Sequence, residues 1–170
     1  MELTKMDRII LINQYEILKR IDSENLSYYD ELIEILQNGY LIFYSDVDLS
    51  LSEEMPDEES KFVLDILDIY RIIEDYKRDN PGDKVIEQHL FSHFKGFDGN
   101  YESEYMAFTK FLFKQGKFTE QLVYKEKTDN FNSHLPLVPL YKKMVDKWYE
   151  MDRKYSLSKD DLLLILDVKR

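Results

Sequence analysis

A chain of 170 residues with 44% apolar and 14% aromatic side chains has enough apolar material for one folded domain, residues 1–170, and is not disordered. It has no cysteine, which excludes disulfides, thiolate metal sites and a cysteine nucleophile and makes a reducing, cytoplasmic setting the expectation. The net charge of −11 is concentrated between Asp22 and Asn80, where 17 acids face 4 bases, so phosphate polyanions and anionic lipid are disfavoured and neither a nucleic-acid nor a membrane partner is expected.

The amino terminus, MELTKMDRIILINQYEILKR, has its apolar run broken at Asn13 and Gln14. It is too short for a signal peptide or a span of about 20 residues. Thr4 with Asp7 three residues on predicts a capping box, and Ile10, Tyr15, Ile17, Leu18 and Ile21 predict one face of a first helix ending near Asp22. Ser27 with Asp30 predicts a second start, and Asn38-Gly39 its stop. YLIFY is too brief to classify, and an acidic connector leads to Pro56.

From there Phe62, Ile66, Ile69, Tyr70, Ile73 and Tyr76 keep helical spacing up to the Asn80-Pro81-Gly82 break, predicting the longest helix. GFDGNYESEY, residues 96–105, places oxygen-bearing side chains at every second position. As a calcium loop it lacks glycine at position six, where Ser103 sits, and glutamate at position twelve, where Thr109 sits. The reading is a helix start, with Asp98 or Asn100 as cap, Glu102 and Glu104 in the first turn, and Gly116 as the stop. Residues 117–135 are irregular. Pro136 or Pro139 then opens a helix through Trp148 and Met151, and Ser158 with Asp161 opens a last one. The expected architecture is all-α, with six or seven helices.

Chemistry-bearing motifs are sparse. His89 and His93 in EQHLFSH would share a face if helical, and could bind zinc if His134 joined them, but the glutamate of HExxH is missing. Glu-x-x-His pairs, a Walker loop, a dinucleotide fingerprint and a GxSxG elbow are absent from the sequence. Asp65 and Asp68 have the i, i+3 spacing of a carboxylate pair, but among 34 acids such pairs are expected and the reading is a solvated face. The aromatic stretch from Tyr101 to Phe113 suits core packing, a subunit contact or a ligand pocket. No catalytic residue, metal ligand or cofactor is assigned.

LTKMDRIILINQY, GFDGNYESEY, FNSHLP, YKKMVDKWYE and YSLSKDDLLLIL resemble, in order and spacing, motifs of the bacterial YfbU family. The resemblance covers essentially the whole chain and implies a mostly helical domain without an assigned activity. Some relatives are joined to a helix-turn-helix segment, which implies a ligand-binding or regulatory module. The residues matching the family's motifs are Arg8, Asn13, Gln14 and Tyr15, then Gly96, Phe97, Asp98, Glu102 and Tyr105, then Phe131 and Asn132. Of these, Arg8, Asn13, Gln14, Tyr15, Phe97, Asp98, Glu102, Tyr105 and Asn132 are the candidate ligand-binding residues. Each has a structural alternative: Asp98 as a cap, Arg8 as an ion-pair partner of Asp98 or Glu102, Asn13 and Gln14 as partners of backbone groups.

Two classes of function follow. The first is a binding or regulatory module sensing a small ligand or protein partner, oligomeric through its surplus of tyrosine and phenylalanine. The second is a metal-dependent hydrolase built on the histidines and nearby acids.

Overall fold

The computed structural model describes residues 2–47 and 54–168. They form two compact units, one up to Glu54 and one from Met55 onward, each with its own core. The acidic connector at 48–53 lies outside the described residues.

In the first unit the Thr4 box forms: the Asp7 amide donates to Thr4 Oγ1 at 3.2 Å, and the Thr4 amide donates to Asp7 Oδ2 at 2.8 Å. It opens α1, Lys5–Ile21, which closes at Asp22. Helix α2, Leu26–Asn38, ends at Gly39 with φ +72°, a left-handed value that favours glycine. Its start differs from the expected one. Ser27 lies inside the helix instead of capping it, and Asp30 is turned to an ion pair with Lys19 of α1. YLIFY becomes a 3-10 turn, Leu41–Phe43, and a one-turn helix α3, Tyr44–Val47. Tyr15, Leu32, Ile33, Ile35, Leu36, Tyr44 and Val47 make this unit's core.

The second unit is organised on α4, Asp57–Asp79, whose acids Asp57, Glu58 and Glu59 stand in the first turn and whose Lys77 and Arg78 stand in the last, complementing the helix dipole. Val63, Ile66, Leu67, Ile69, Tyr70 and Ile73 of α4 are fully buried. Around it lie α5, Lys84–Glu87, α6, Ser103–Lys114, α7, Val138–Glu150, and α8, Lys159–Leu166. The Ser158–Asp161 box forms as expected, and Pro139 sits in the first turn of α7. Residues 117–135, read as irregular, contain two 3-10 helices, Thr119–Tyr124 and Glu126–Thr128.

The described residues hold eight α-helices and four 3-10 helices, more than the six or seven expected. The extra pieces are single turns and 3-10 segments, too short to display a 3.6-residue period in sequence. The described residues contain no strand, only an isolated parallel bridge between Phe97 and Asn132. No helix among them is long and apolar enough to cross a membrane.

Much of the aromatic surplus is spent inside. Phe94 contacts Tyr70, Phe97, Phe131 and Tyr141 at centroid distances of 5.4 to 6.0 Å. The Asp65–Asp68 pair is not a solvated face. Asp65 is buried and accepts from Tyr149 and Arg153, while Asp68 accepts from Tyr155 Oη at 3.0 Å and stands 3.6 Å from Arg71. Arg71 also pairs with Glu120.

Candidate functional site: two locked motifs and the groove beside them

Residues 96–105 and 131–134 are joined in the second unit. The Phe97 amide donates to Phe131 O at 3.1 Å, and the Ser133 amide donates to Phe97 O at 3.1 Å. Asn132 Oδ1 accepts from the amides of Gly99 and His134, both at 3.1 Å. Tyr141 of α7 secures the segment by donating to Gly96 O at 3.2 Å. Asp129, Asn130, Phe131 and His134 all have φ between 44° and 63°, a region that non-glycine residues rarely occupy. Such strain persists only where surrounding packing and hydrogen bonds enforce it.

Two of the first segment's carboxylates, those of Asp98 and Glu102, are consumed by backbone amides, while Glu104 is exposed. Asp98 Oδ1 accepts from Asn100 at 2.7 Å and from Tyr101 at 3.0 Å. Glu102 accepts from Asp98 at 3.0 Å through one oxygen, and from Val138, the first residue of α7, at 2.7 Å through the other. Both are buried. Asp98 is thus a cap, but of the turn before the helix. Glu102 is not in the first turn of α6; it precedes that helix and ties its start to the start of α7.

The remaining candidates are placed as follows. Phe97 is buried and stacks on Tyr105 with centroids 5.4 Å apart. Tyr105 Oη donates to Glu59 at 2.6 Å, and burial first, then this bond, push its phenol up from its ordinary value. In the first unit Arg8 pairs with neither Asp98 nor Glu102. Its Nε donates to Leu36 O at 2.6 Å and its Nη2 to Gln37 O at 2.7 Å, satisfying carbonyls at the end of α2. Tyr15 belongs to the first core, and Asn13 and Gln14 are exposed on α1. The candidates of the second unit come together, then, but mostly facing inward.

The histidines do not share a helical face, because α5 ends at Glu87 and the chain turns through 88–93. His89 Nε2 lies 3.2 Å from Asp167, His93 Nε2 lies 2.8 Å from Lys95 Nζ, and His134 Nε2 lies 2.8 Å from Asp129. Among the described residues no group of three His, Asp or Glu side chains could hold a metal ion. The geometry that the hydrolase reading needs is not present there.

What opens to solvent beside the locked motifs is a groove of two neighbouring cavities. One, of about 370 Å³, is lined by Phe91, Asn132, Ser133, His134, Leu135 and Leu137 among others. The other, of about 470 Å³, is lined by Lys77, Glu87, His89, His93 and Tyr124 among others. Both share Leu90, Lys95 and Lys127. The His93 ring stacks on Tyr124 with centroids 4.6 Å apart. Burial first, then the lysines Lys95, Lys77 and Lys127, push His93 down to about 4, and burial with Lys127 and Lys77 lowers Lys95 from its ordinary value.

Lys95, Lys127 and Tyr124 were not singled out from the sequence. Its only hint is that bases slightly outnumber acids, 19 to 17, outside residues 22–80.

A family model described as the YfbU domain matches residues 1–168. The chain is also 49% identical over 168 residues to the UPF0304 protein MJECS11 of Methanocaldococcus jannaschii, covering 97% of this chain and 99% of that protein.

Proposed function

The chain belongs to the YfbU family, and we propose that it is a binding module whose small-molecule ligand occupies the groove beside the locked motifs. The observation that carries this reading is the wall of that groove. Strained backbone around Asn132 and His134, its amides hydrogen-bonded, lines the same cavity as Lys95 and Lys127, which pair with no carboxylate among the described residues. A rigid wall with charge left over is the kind of arrangement that a ligand completes. The lack of cysteine supports a cytoplasmic setting, and the acidity of residues 22–80 argues against nucleic acid. We take the two units as one functional domain because the family match spans both. The test is a thermal-shift screen of the whole chain against anionic, cationic and neutral small molecules. A saturable stabilisation, lost on altering groove residues, supports the reading; none across the panel sinks it.

The module acts as a homo-oligomer through α1. One apolar face of this helix, with Leu11, Ile12 and Tyr15, belongs to the first core. The opposite face presents Met6, Ile10, Ile17 and Ile21, 48% to 75% exposed, with Asn13 in their midst, at the three- and four-residue steps of a two-helix seam. A second copy's α1, running antiparallel about Asn13, sets Ile10 against the partner's Ile17. It also brings acidic Asp7, in the first turn, toward the partner's Arg20 in the last turn, whereas Lys19 stays with Asp30 of α2. The contact is aliphatic, in place of the tyrosines and phenylalanines read from composition.

A further inference from the structure

Resting on the groove as the binding site, we propose that its ligand is a small organic oxyanion, a phosphate or carboxylate head held by Lys95 and Lys127 on an apolar body seated against Phe91 and Leu137. Three ammonium groups gather around one stacked ring pair. Lys77 Nζ lies 5.3 Å and Lys127 Nζ 5.8 Å from the Tyr124 ring centre, and Lys95 Nζ is 2.8 Å from the Nε2 of the His93 stacked on that ring. Lys77 is neutralised, since it donates to Glu74 at 2.7 Å and to the Ser92 carbonyl. Lys95 and Lys127 are not. In a chain with 34 acids and 23 bases an acid is easily supplied, and Arg71, Lys159 and Arg153 each have one.

Lys95 is half-buried without a counter-charge and Lys127 stands exposed beside it, an arrangement that is unfavourable for Lys95 until an anion enters, and an anion between them gains from both. His93 reinforces this choice. Its Nε2 accepts from Lys95, so the neutral ring carries its proton on Nδ1 and leaves an N–H donor. The body of the ligand follows from the cavity of about 370 Å³, which meets the His93–Tyr124 cavity at Lys95 and Lys127 and continues along Phe91, Leu135 and Leu137, with Asn132 and His134 as polar points. A compact anionic head with an apolar body fits both. A long polyanion does not, because residues 22–80 repel it.

The experiment is isothermal titration of the full chain at low ionic strength with phenyl phosphate, benzoate, inorganic phosphate and benzyl alcohol. Phenyl phosphate or benzoate is expected to bind more tightly than inorganic phosphate or benzyl alcohol, and whichever of the two is the stronger identifies the head. Lys95→Gln and Lys127→Gln, each checked for native circular dichroism, should weaken that binding by about tenfold or more, while Lys114→Gln on α6 leaves it unchanged. Binding of benzyl alcohol as tight as that of the anions, and indifferent to both lysine variants, overturns the oxyanion while leaving a binding groove in place. Silence from all four probes at millimolar concentration overturns the inference outright, as does anion binding that neither lysine variant weakens.

Discussion

Gly96 lies so close to Phe131 that a Cβ on it would stand 1.9 Å from the Phe131 carbonyl oxygen, and its φ of +88° is one that side chains rarely adopt. The glycine is what allows residues 96–105 to lock onto residues 131–134. Gly96→Ala must strain this backbone or part the two segments, and is expected to destabilise the protein by about 2–5 kcal/mol. Urea unfolding measures it. Gly82→Ala, where no atom lies within 4 Å of the added Cβ although φ is +91°, should cost clearly less.

Asp98 and Glu102 act as caps. Asp98→Ala should cost about 0.5–2 kcal/mol, the usual range for a lost cap. Glu102→Ala strands two amides, those of Asp98 and Val138, and should cost more, about 2–4 kcal/mol. Thermal melts with and without calcium check both. A calcium-dependent stabilisation of the wild type that disappears in Asp98→Ala contradicts the capping account.

Ile17→Asp on the outer face of α1 should raise the dimer dissociation constant by at least about tenfold, because the charge would have to be desolvated in the seam. Light scattering over a dilution series reads this out, with Val123→Asp, an exposed position of the second unit, as the control. A wild type that is monomeric at high micromolar concentration removes the α1 interface altogether.

His93 gives a pH dependence of defined sign. Its folded value is about 4 against an ordinary 6.5, so between these limits the unfolded chain binds more protons than the folded one. The stability contributed by the neutral ring is therefore present above pH 6.5 and lost as pH falls through 6.5 to 4. The groups facing it are Lys95, Lys77, Lys127, Tyr124 and, through Tyr124, Glu74. His93→Gln should lose less stability than the wild type between pH 7 and pH 4.5 in urea unfolding. An equal loss contradicts this assignment.

The elements legible in sequence are those set by local signals. The boxes at Thr4 and Ser158, Gly39 as a stop and the long periodic α4 all form where they were read. Ser27 misled because a serine followed by Asp30 satisfies the local pattern, whereas the Lys19–Asp30 ion pair across the two helices takes the carboxylate elsewhere. His89 and His93 misled because spacing implies a shared face only if the segment is helical, and α5 stops at Glu87. The groove was hardest to see. Lys95 and Lys127 are 32 positions apart, and only the locking of residues 96–105 onto 131–134 brings their segments together.

Titration of the isotope-labelled full chain with phenyl phosphate, followed by two-dimensional amide NMR, tests the groove most directly. The account predicts progressive, saturable shifts at the amides of Phe91 to Lys95, Lys127 and Asn132 to His134, with α1 and α2 unmoved. It also predicts that the His93 ring titrates at higher pH in the presence of the anion. Shifts confined to the first unit, or none at all, would contradict it.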